Sequence, residues 1–103
     1  MMAVGELKKQ PFEELNCAID FSSSLVADDT ITLDAFLATN SKTGAVSTSV
    51  VVAPVPAPSV DHQKVIFRVF GGADGDRHKL TARVSVSTGE KLEADLDLLV
   101  KEQ

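Results

Sequence analysis

The sequence predicts an all-β protein, folded as an antiparallel sandwich of two sheets with six to seven strands. Three observations carry this prediction. Several runs alternate apolar and polar residues with a period of two, turn-forming residues separate these runs, and no segment has the period of an amphipathic helix. A chain of 103 residues is long enough for one domain with its own core, which we expect to span residues 11–103.

The first ten residues have no apolar period and predict a flexible N-terminal arm over residues 1–10. A short additional strand near Leu7 is the alternative. The first regular strand is predicted over residues 15–21, where alternate positions form an apolar inward face: Leu15, Cys17, Ile19 and Phe21. Because the chain has one cysteine, an internal disulfide is excluded, and we expect a buried, unreactive thiol.

Two further strands are predicted in the middle of the chain. Residues 30–37 alternate between two faces. Phe36 is the apolar residue on the outward face, and four apolar side chains point inward: Ile31, Leu33, Ala35 and Leu37. Residues 46–53 are β-branched almost throughout and predict another strand. The alternate prolines of residues 54–58 then predict a stiff extended crossover between the sheets, with a ligand for a peptide-binding module as the weaker interpretation.

The last part of the chain, residues 64–101, predicts a three-stranded antiparallel meander. Its first strand, residues 65–70, is apolar on both faces, which indicates burial on both sides or contact with a partner. The other two strands each have one apolar face, formed in the middle strand by Leu80, Ala82, Val84 and Val86, and in the last strand by Leu92, Ala94, Leu96, Leu98 and Val100.

The register of the last two strands follows from matching these apolar faces. Val86 is expected opposite Leu92 or Ala94, with residues 88–90 as a three-residue loop in which Gly89 or its neighbour takes a positive φ. Arg83 is then expected opposite Asp95. Six or seven strands in two sheets resemble the immunoglobulin architecture, although the Cys, Trp, Cys pattern of antibody domains is absent.

Composition excludes several classes of function. The net charge of −5 and the pI near 4.8 argue against nucleic-acid binding, because that requires a basic surface. The N-terminus has no apolar run typical of a signal peptide, and no segment approaches the length of a membrane span. We therefore expect a protein that is made and kept in a cytoplasm and has no membrane partner.

No constellation of residues predicts catalysis or a cofactor. The chain lacks a nucleophile elbow and a phosphate-binding loop, so we expect no enzyme activity. His62 and His78 are expected to be solvated. Asp74 and Asp76 are weak calcium candidates, on the condition that their loop and the Asp28-Asp29 loop share one end of the sandwich.

Several short stretches resemble a family of phage proteins. They are Lys9, Pro11 and Leu15 before Ile19-Asp20-Phe21, the strand start Asp29-Thr30-Ile31, the glycine-rich stretch of residues 70–75, and the strand end and turn of residues 85–93. In this order they are similar to small immunoglobulin-like structural proteins of tailed phages and prophages, of the head–tail or fibre–tail adaptor type. The resemblance spans nearly the whole chain.

The resemblance implies a virion structural protein of the neck or tail, assembled in the host cytoplasm through contacts with other phage structural proteins. A homo-oligomeric ring formed on assembly is one implied arrangement, and a monomer in isolation is equally compatible. The expected partner interface consists of four residues: Ile66, Arg68, Phe70 and Leu99. The alternative function is a bacterial adhesion or ligand-binding module of the same architecture, calcium-dependent through Asp74 and Asp76.

Overall fold

The computed structural model describes the backbone of residues 2–102 and the side chains of residues 5–102. It contains a one-turn helix, α1 (Thr48–Val51), a 3-10 turn (Ser22–Ser24) and seven strands: β1 (Met2–Lys9), β2 (Leu15–Asp20), β3 (Ile31–Asn40), β4 (Ser59–Asp61), β5 (Lys64–Val69), β6 (Arg77–Val86) and β7 (Lys91–Val100). Within this described chain, no helix is long and apolar enough to cross a membrane.

The strands form two sheets, which confirms the predicted sandwich. One sheet has four strands in the order β1-β7-β6-β3, and the other has three in the order β2-β5-β4. The orders β2-β5-β4 and β3-β6-β7 reproduce the B-E-D and C-F-G orders of the immunoglobulin fold. Pairing is antiparallel throughout except between β1 and β7, which are parallel.

The core lies between the inward faces of the two sheets. Phe21 and Ile19 from the three-stranded sheet and Leu80 and Leu98 from the four-stranded sheet are its largest fully buried apolar side chains. Phe36 packs on Phe67 across the sandwich with ring centroids 4.7 Å apart. Each sheet therefore covers the apolar face of the other, which is the main source of stability.

The predicted meander is wrong, because β5 belongs to the other sheet from β6 and β7. Gly71 and Gly72, with φ of 62° and 84°, lie where the chain leaves β5 on its way to the four-stranded sheet. The period of two predicted the strand but did not identify its neighbour. One face of β5 is buried, through Val65, Phe67 and Val69, whereas Ile66 on the opposite face is 38% exposed.

The register of β6 and β7 differs from the predicted one by two residues. Val84 lies opposite Leu92, and Arg83 lies opposite Glu93 rather than Asp95. The hairpin loop is residues 87–89, in which the Gly89 N–H donates to the Val86 carbonyl at 2.8 Å. Gly89 takes a positive φ of 97°, as predicted. A shift of two keeps every side chain on its predicted face, so the apolar pattern alone did not distinguish the two registers.

A β-bulge changes the inward face of β3. The register shifts between Leu33 and Ala35, so Asp34 is an additional residue, and the alternation inverts beyond it. Phe36, predicted outward, therefore packs against the core, and Ala38 is fully buried. Leu33 packs against the core as predicted, but Leu37 falls on the opposite face from Phe36.

The predicted strand over residues 46–53 is wrong. This segment contains α1, flanked by isolated bridges from Val46 to Thr39 and from Val52 to Val69. Tertiary hydrogen bonds fix the turn, because the Ala38 N–H donates to Thr48 Oγ1 at 3.0 Å and the Phe70 N–H donates to the Val51 carbonyl at 2.9 Å. The proline-rich segment of residues 54–58 follows and leads to β4, a strand that the alternation did not predict. Its predicted role as a crossover between the sheets is wrong, because the Ala53 N–H before it already donates to the Arg68 carbonyl of β5, and β4 after it pairs with the same strand. The chain passes from one sheet to the other at α1 instead.

The N-terminal segment forms β1, which confirms the alternative of a strand near Leu7. Leu7 packs against the core at the edge of the four-stranded sheet. The predicted flexibility of this segment in solution stays a prediction, and Met1 lies outside the described residues.

Substitution of Gly71 tests the connection between the sheets. A Cβ atom at Gly71 would lie 2.6 Å from the Val50 carbonyl oxygen, whereas one at Gly89 would have no atom within 4 Å. Gly89→Ala carries only the cost of its positive φ, about 1–2 kcal/mol. We expect Gly71→Ala to lower the free energy of unfolding by roughly 2 kcal/mol more, because backbone must move. Urea denaturation of both variants measures the difference, and equal losses would contradict the role of this close approach.

Candidate functional site

An exposed apolar surface lies on the outer face of the three-stranded sheet. Ile66 occupies the middle of the central strand β5, with Ala18 of β2 on one side and Ser59 of β4 on the other. Alternation places Ile66 outward because its neighbours Val65 and Phe67 are buried in the core. The position of β5 between two other strands thus makes Ile66 the centre of this face.

A shallow groove of about 500 Å³ crosses this face. Pro56 and Ala57 of the proline-rich segment line one part of the groove, and Ala18 of β2 and Ile66 of β5 line another. We call it the Ile66 groove; its full lining is Asn16, Cys17, Ala18, Pro56, Ala57, Ser59, Ile66 and Phe67. Its shape and apolar lining suit a protruding apolar side chain of a partner protein.

Polar and charged groups border the groove at both ends of the sheet. At one end, Arg68 Nη1 donates to Asn16 Oδ1 at 2.9 Å, and Arg68 Nε lies 3.4 Å from Glu14 Oε1. At the other end, Lys64 is paired in register with Asp20 and Asp61. The pKa of Asp20 is lowered, chiefly because its carboxylate accepts a hydrogen bond from the Ser22 backbone N–H at 2.8 Å.

The outer face of the four-stranded sheet is different in character. Arg77 Nη1 donates to Glu6 Oε2 at 2.8 Å, and Arg83 pairs with Glu93. Thr81 Oγ1 donates to the buried Asp95 carboxylate at 2.9 Å. The central charges of this face are therefore already paired within the sheet.

The structure does not bring the four predicted interface residues together. The side chains of Ile66 and Arg68 lie on the outer face of the three-stranded sheet, and Phe70 follows directly after β5 and is half-buried. Leu99 lies in β7 of the other sheet, half-buried between Lys8 and Arg77. One flat partner surface therefore cannot contact all four, and their role in binding stays a prediction.

Sequence patterns did not identify the rest of the groove or the most exposed large apolar side chain of the described residues. Ala18, Pro56 and Ala57 join Ile66 only through strand pairing, which no local pattern revealed. Phe12 is 97% exposed, the highest value among the large apolar side chains of the described chain. The sequence feature that could have identified Phe12 as exposed is its position between Pro11 and Glu13, in a segment without any apolar period.

The two aspartate loops lie at opposite ends of the sandwich, so the predicted shared calcium site is wrong. Asp76 directly precedes the first residue of β6. Thr30, which follows Asp28-Asp29, accepts a hydrogen bond from the Ser87 N–H, and Ser87 directly follows the last residue of β6. Asp76 accepts the Ala73 N–H at 2.9 Å, and Asp74 accepts the Glu102 N–H at 2.8 Å. Among the described residues, no group of three His, Cys, Asp or Glu side chains is arranged to hold a metal ion.

His62 is exposed as predicted, but His78 is 2% exposed and its predicted solvation is wrong. Position 78 has the same phase in β6 as the buried Leu80, so alternation directs its ring into the core. His78 Nδ1 lies 2.8 Å from Ser47 Oγ, and Nε2 lies 3.5 Å from Asp76 Oδ2. This arrangement connects the segment before α1 to β6 and is structural.

Cys17 and Lys9 are the remaining groups whose pKa is shifted. Cys17 packs against the core, and burial raises the pKa of its thiol, in agreement with the predicted unreactive side chain. Burial lowers the pKa of the Lys9 ammonium, against the opposing effect of Glu13 and Glu14. Neither group has the hydrogen-bond partners of a nucleophile or a general base.

Comparison with known proteins identifies the family. No curated protein matches the chain. The model of the Gp77 family, described as podophage GP4 fiber-tail adaptor protein gp77, matches residues 9–99. This match runs from the last residue of β1 almost to the end of β7, so it includes the five strands β2 to β6 completely, all but the last residue of β7, and the whole Ile66 groove. The chain therefore belongs to the Gp77 family of podophage fibre-tail adaptor proteins.

Proposed function

We propose that the protein is a non-enzymatic virion component that joins a fibre to the tail through protein–protein contacts. The family match over residues 9–99 is the observation that carries this proposal. The structure supports it, because the surface carries an apolar groove and because His78, Asp74 and Asp76 make structural hydrogen bonds. Assembly takes place in the host cytoplasm, with a ring of several copies as the arrangement within the virion.

The outer face of the three-stranded sheet is the docking surface in this proposal. Stable interfaces combine an apolar centre with a polar rim. The Ile66 groove has this arrangement, with Arg68 at one end and Lys64 at the other. The outer face of the four-stranded sheet has paired charges at its centre, which are costly to desolvate.

The free edge of β2 suggests how the partner binds. β2 is the terminal strand of its sheet and borders the groove through Asn16 and Ala18. The Phe21 N–H points toward β5, so by alternation the backbone groups of Asn16, Ala18 and Asp20 point away from the sheet. An extended segment of a tail protein adds along this edge and places an apolar side chain in the groove.

Two charge substitutions compare the sheet faces. Ile66→Glu places an unpaired carboxylate in the centre of the groove and is expected to weaken partner binding by about 2 kcal/mol, or about thirtyfold. Leu99→Glu changes the other face and serves as the matched variant. In complementation of a phage lacking the gene, we expect Ile66→Glu to reduce fibre content per particle, measured by quantitative mass spectrometry.

Thermal unfolding of both variants must stay close to that of the unchanged protein for the comparison to hold. Normal fibre content with Ile66→Glu would contradict the groove as the docking surface. A loss confined to Leu99→Glu would instead place docking on the four-stranded sheet, at the interface position that the sequence predicts.

Calcium binding tests the alternative of a calcium-dependent adhesion or ligand-binding module. The carboxylates of Asp74 and Asp76 already accept backbone N–H groups, and the second aspartate loop lies at the other end of the sandwich. We therefore expect the Tm to be the same with calcium and with EDTA. A rise of several degrees with calcium would support the alternative, since a ligand that binds only the folded state stabilises it.

A further inference from the structure

β1 is attached to the domain through few side chains. Among residues 5–8, only Leu7 packs against the core, whereas Gly5, Glu6 and Lys8 are exposed. The strand lies at the edge of its sheet, in parallel pairing with β7, and its register shifts between Ala3 and Glu6. Parallel pairs are slightly less stable per residue than antiparallel pairs. Release of β1 therefore exposes Leu7 and the buried Lys9 and breaks the Glu6–Arg77 ion pair, but it leaves the pairing of the other six strands unchanged.

A compact hinge connects β1 to the rest of the domain. Residues 10–14 lead from the end of β1 to the start of β2 in the other sheet. The Glu13 N–H donates to the Gln10 carbonyl at 3.1 Å, and the Gln10 N–H donates to Glu13 Oε1 at 2.6 Å. The Lys9 ammonium donates to the carbonyls of Gln10 and Pro11, at 2.7 and 3.3 Å. These hydrogen bonds close the hinge on itself rather than onto the core.

Phe12 at the tip of this hinge has no role in the fold of a single copy. It is 97% exposed, although burial of a Phe side chain is among the strongest apolar contributions to stability. Five extended residues span about 17 Å, more than the ~10 Å between packed sheets. If the hinge opens, it can thus reach a neighbouring molecule and carry Phe12 into the junction between them.

We infer that β1 exchanges between copies of this chain: residues 2–9 of one copy pair with β7 of the next, and Phe12 is buried between them. Every β1–β7 contact of the single copy is reproduced in the exchanged form, so the difference in free energy is confined to the hinge, Phe12 and association. The partner in this exchange is a second copy of the chain, because the edge of β7 already pairs with this strand in a defined register. The family match begins at residue 9, so almost all of β1 lies outside it.

This inference deepens the proposed assembly role and supplies a contact between copies. Its test uses the purified chain, whereas the fibre contact is tested in particles, so either can fail without the other.

Lys8 and Leu99 are register partners across β1 and β7. Lys8→Cys and Leu99→Cys are made in separate chains, each with Cys17→Ser, and the two are unfolded and refolded together at high concentration under oxidising conditions.

The expected result is a disulfide between the two chains, with a yield that rises with protein concentration to about tenfold above the control pair. The control pair is Lys79→Cys and Asp97→Cys in separate chains, because these positions are register partners in β6 and β7, which stay in one copy. A single chain with both Lys8→Cys and Leu99→Cys verifies that the geometry permits a disulfide. Crosslinking between chains no greater than in the control pair, at every concentration, would overturn the exchange.

Phe12→Ser tests the second part of the inference. We expect it to reduce the yield of the disulfide between chains several-fold while leaving the Tm of the monomer unchanged, because Phe12 makes no contribution to the core. Val26→Ser, another exposed apolar position, is the matched variant and is expected to leave the yield unchanged. Equal yields for both variants would show that Phe12 is not buried in the exchanged form.

Discussion

The packing of the two inward sheet faces on each other is the constraint on which the rest of the structure depends. Val65, Phe67 and Val69 must point into the core, so Ile66 and Arg68 must point outward. The same alternation in β2 turns Ala18 outward beside Ile66. The apolar groove is thus a consequence of which side of each strand the core requires, together with the strand order that places β5 in the centre.

Polar side chains fasten the irregular segments to this sandwich. Ser47 and His78 join the segment before α1 to β6, and Thr81 and Asp95 join β6 to β7 on the outer face. Buried polar groups of this kind require partners, and the register supplies them. The loops that carry Asp74 and Asp76 are closed in the same way, by carboxylates that accept backbone N–H groups. These side chains therefore maintain shape, which is the requirement of an adaptor.

The two proposed contacts use different sheets. The proposed docking surface for a fibre or tail protein lies on the three-stranded sheet, whereas the proposed strand exchange uses the β7 edge of the four-stranded sheet. Because the sandwich core separates the two surfaces, one copy can engage a neighbouring copy and a partner at once. A connection between two structures requires such an arrangement, and a single continuous interface would not provide it.

The sequence by itself determined the sandwich class and the positions of β2, β6 and β7. It also determined the inward faces of β6 and β7, because the period of two is a local property of the chain. The same phase, extended by one pair, places His78 in the core, but the turn beside it led to the wrong expectation of a solvated ring. Tertiary structure alone decided the sheet to which β5 belongs, the Asp34 bulge that turns Phe36 inward and the helical turn of α1. It also brought Ile66 together with Ala18, Pro56 and Ala57. These features depend on which distant segments meet, and contacts of that kind leave no period in the chain.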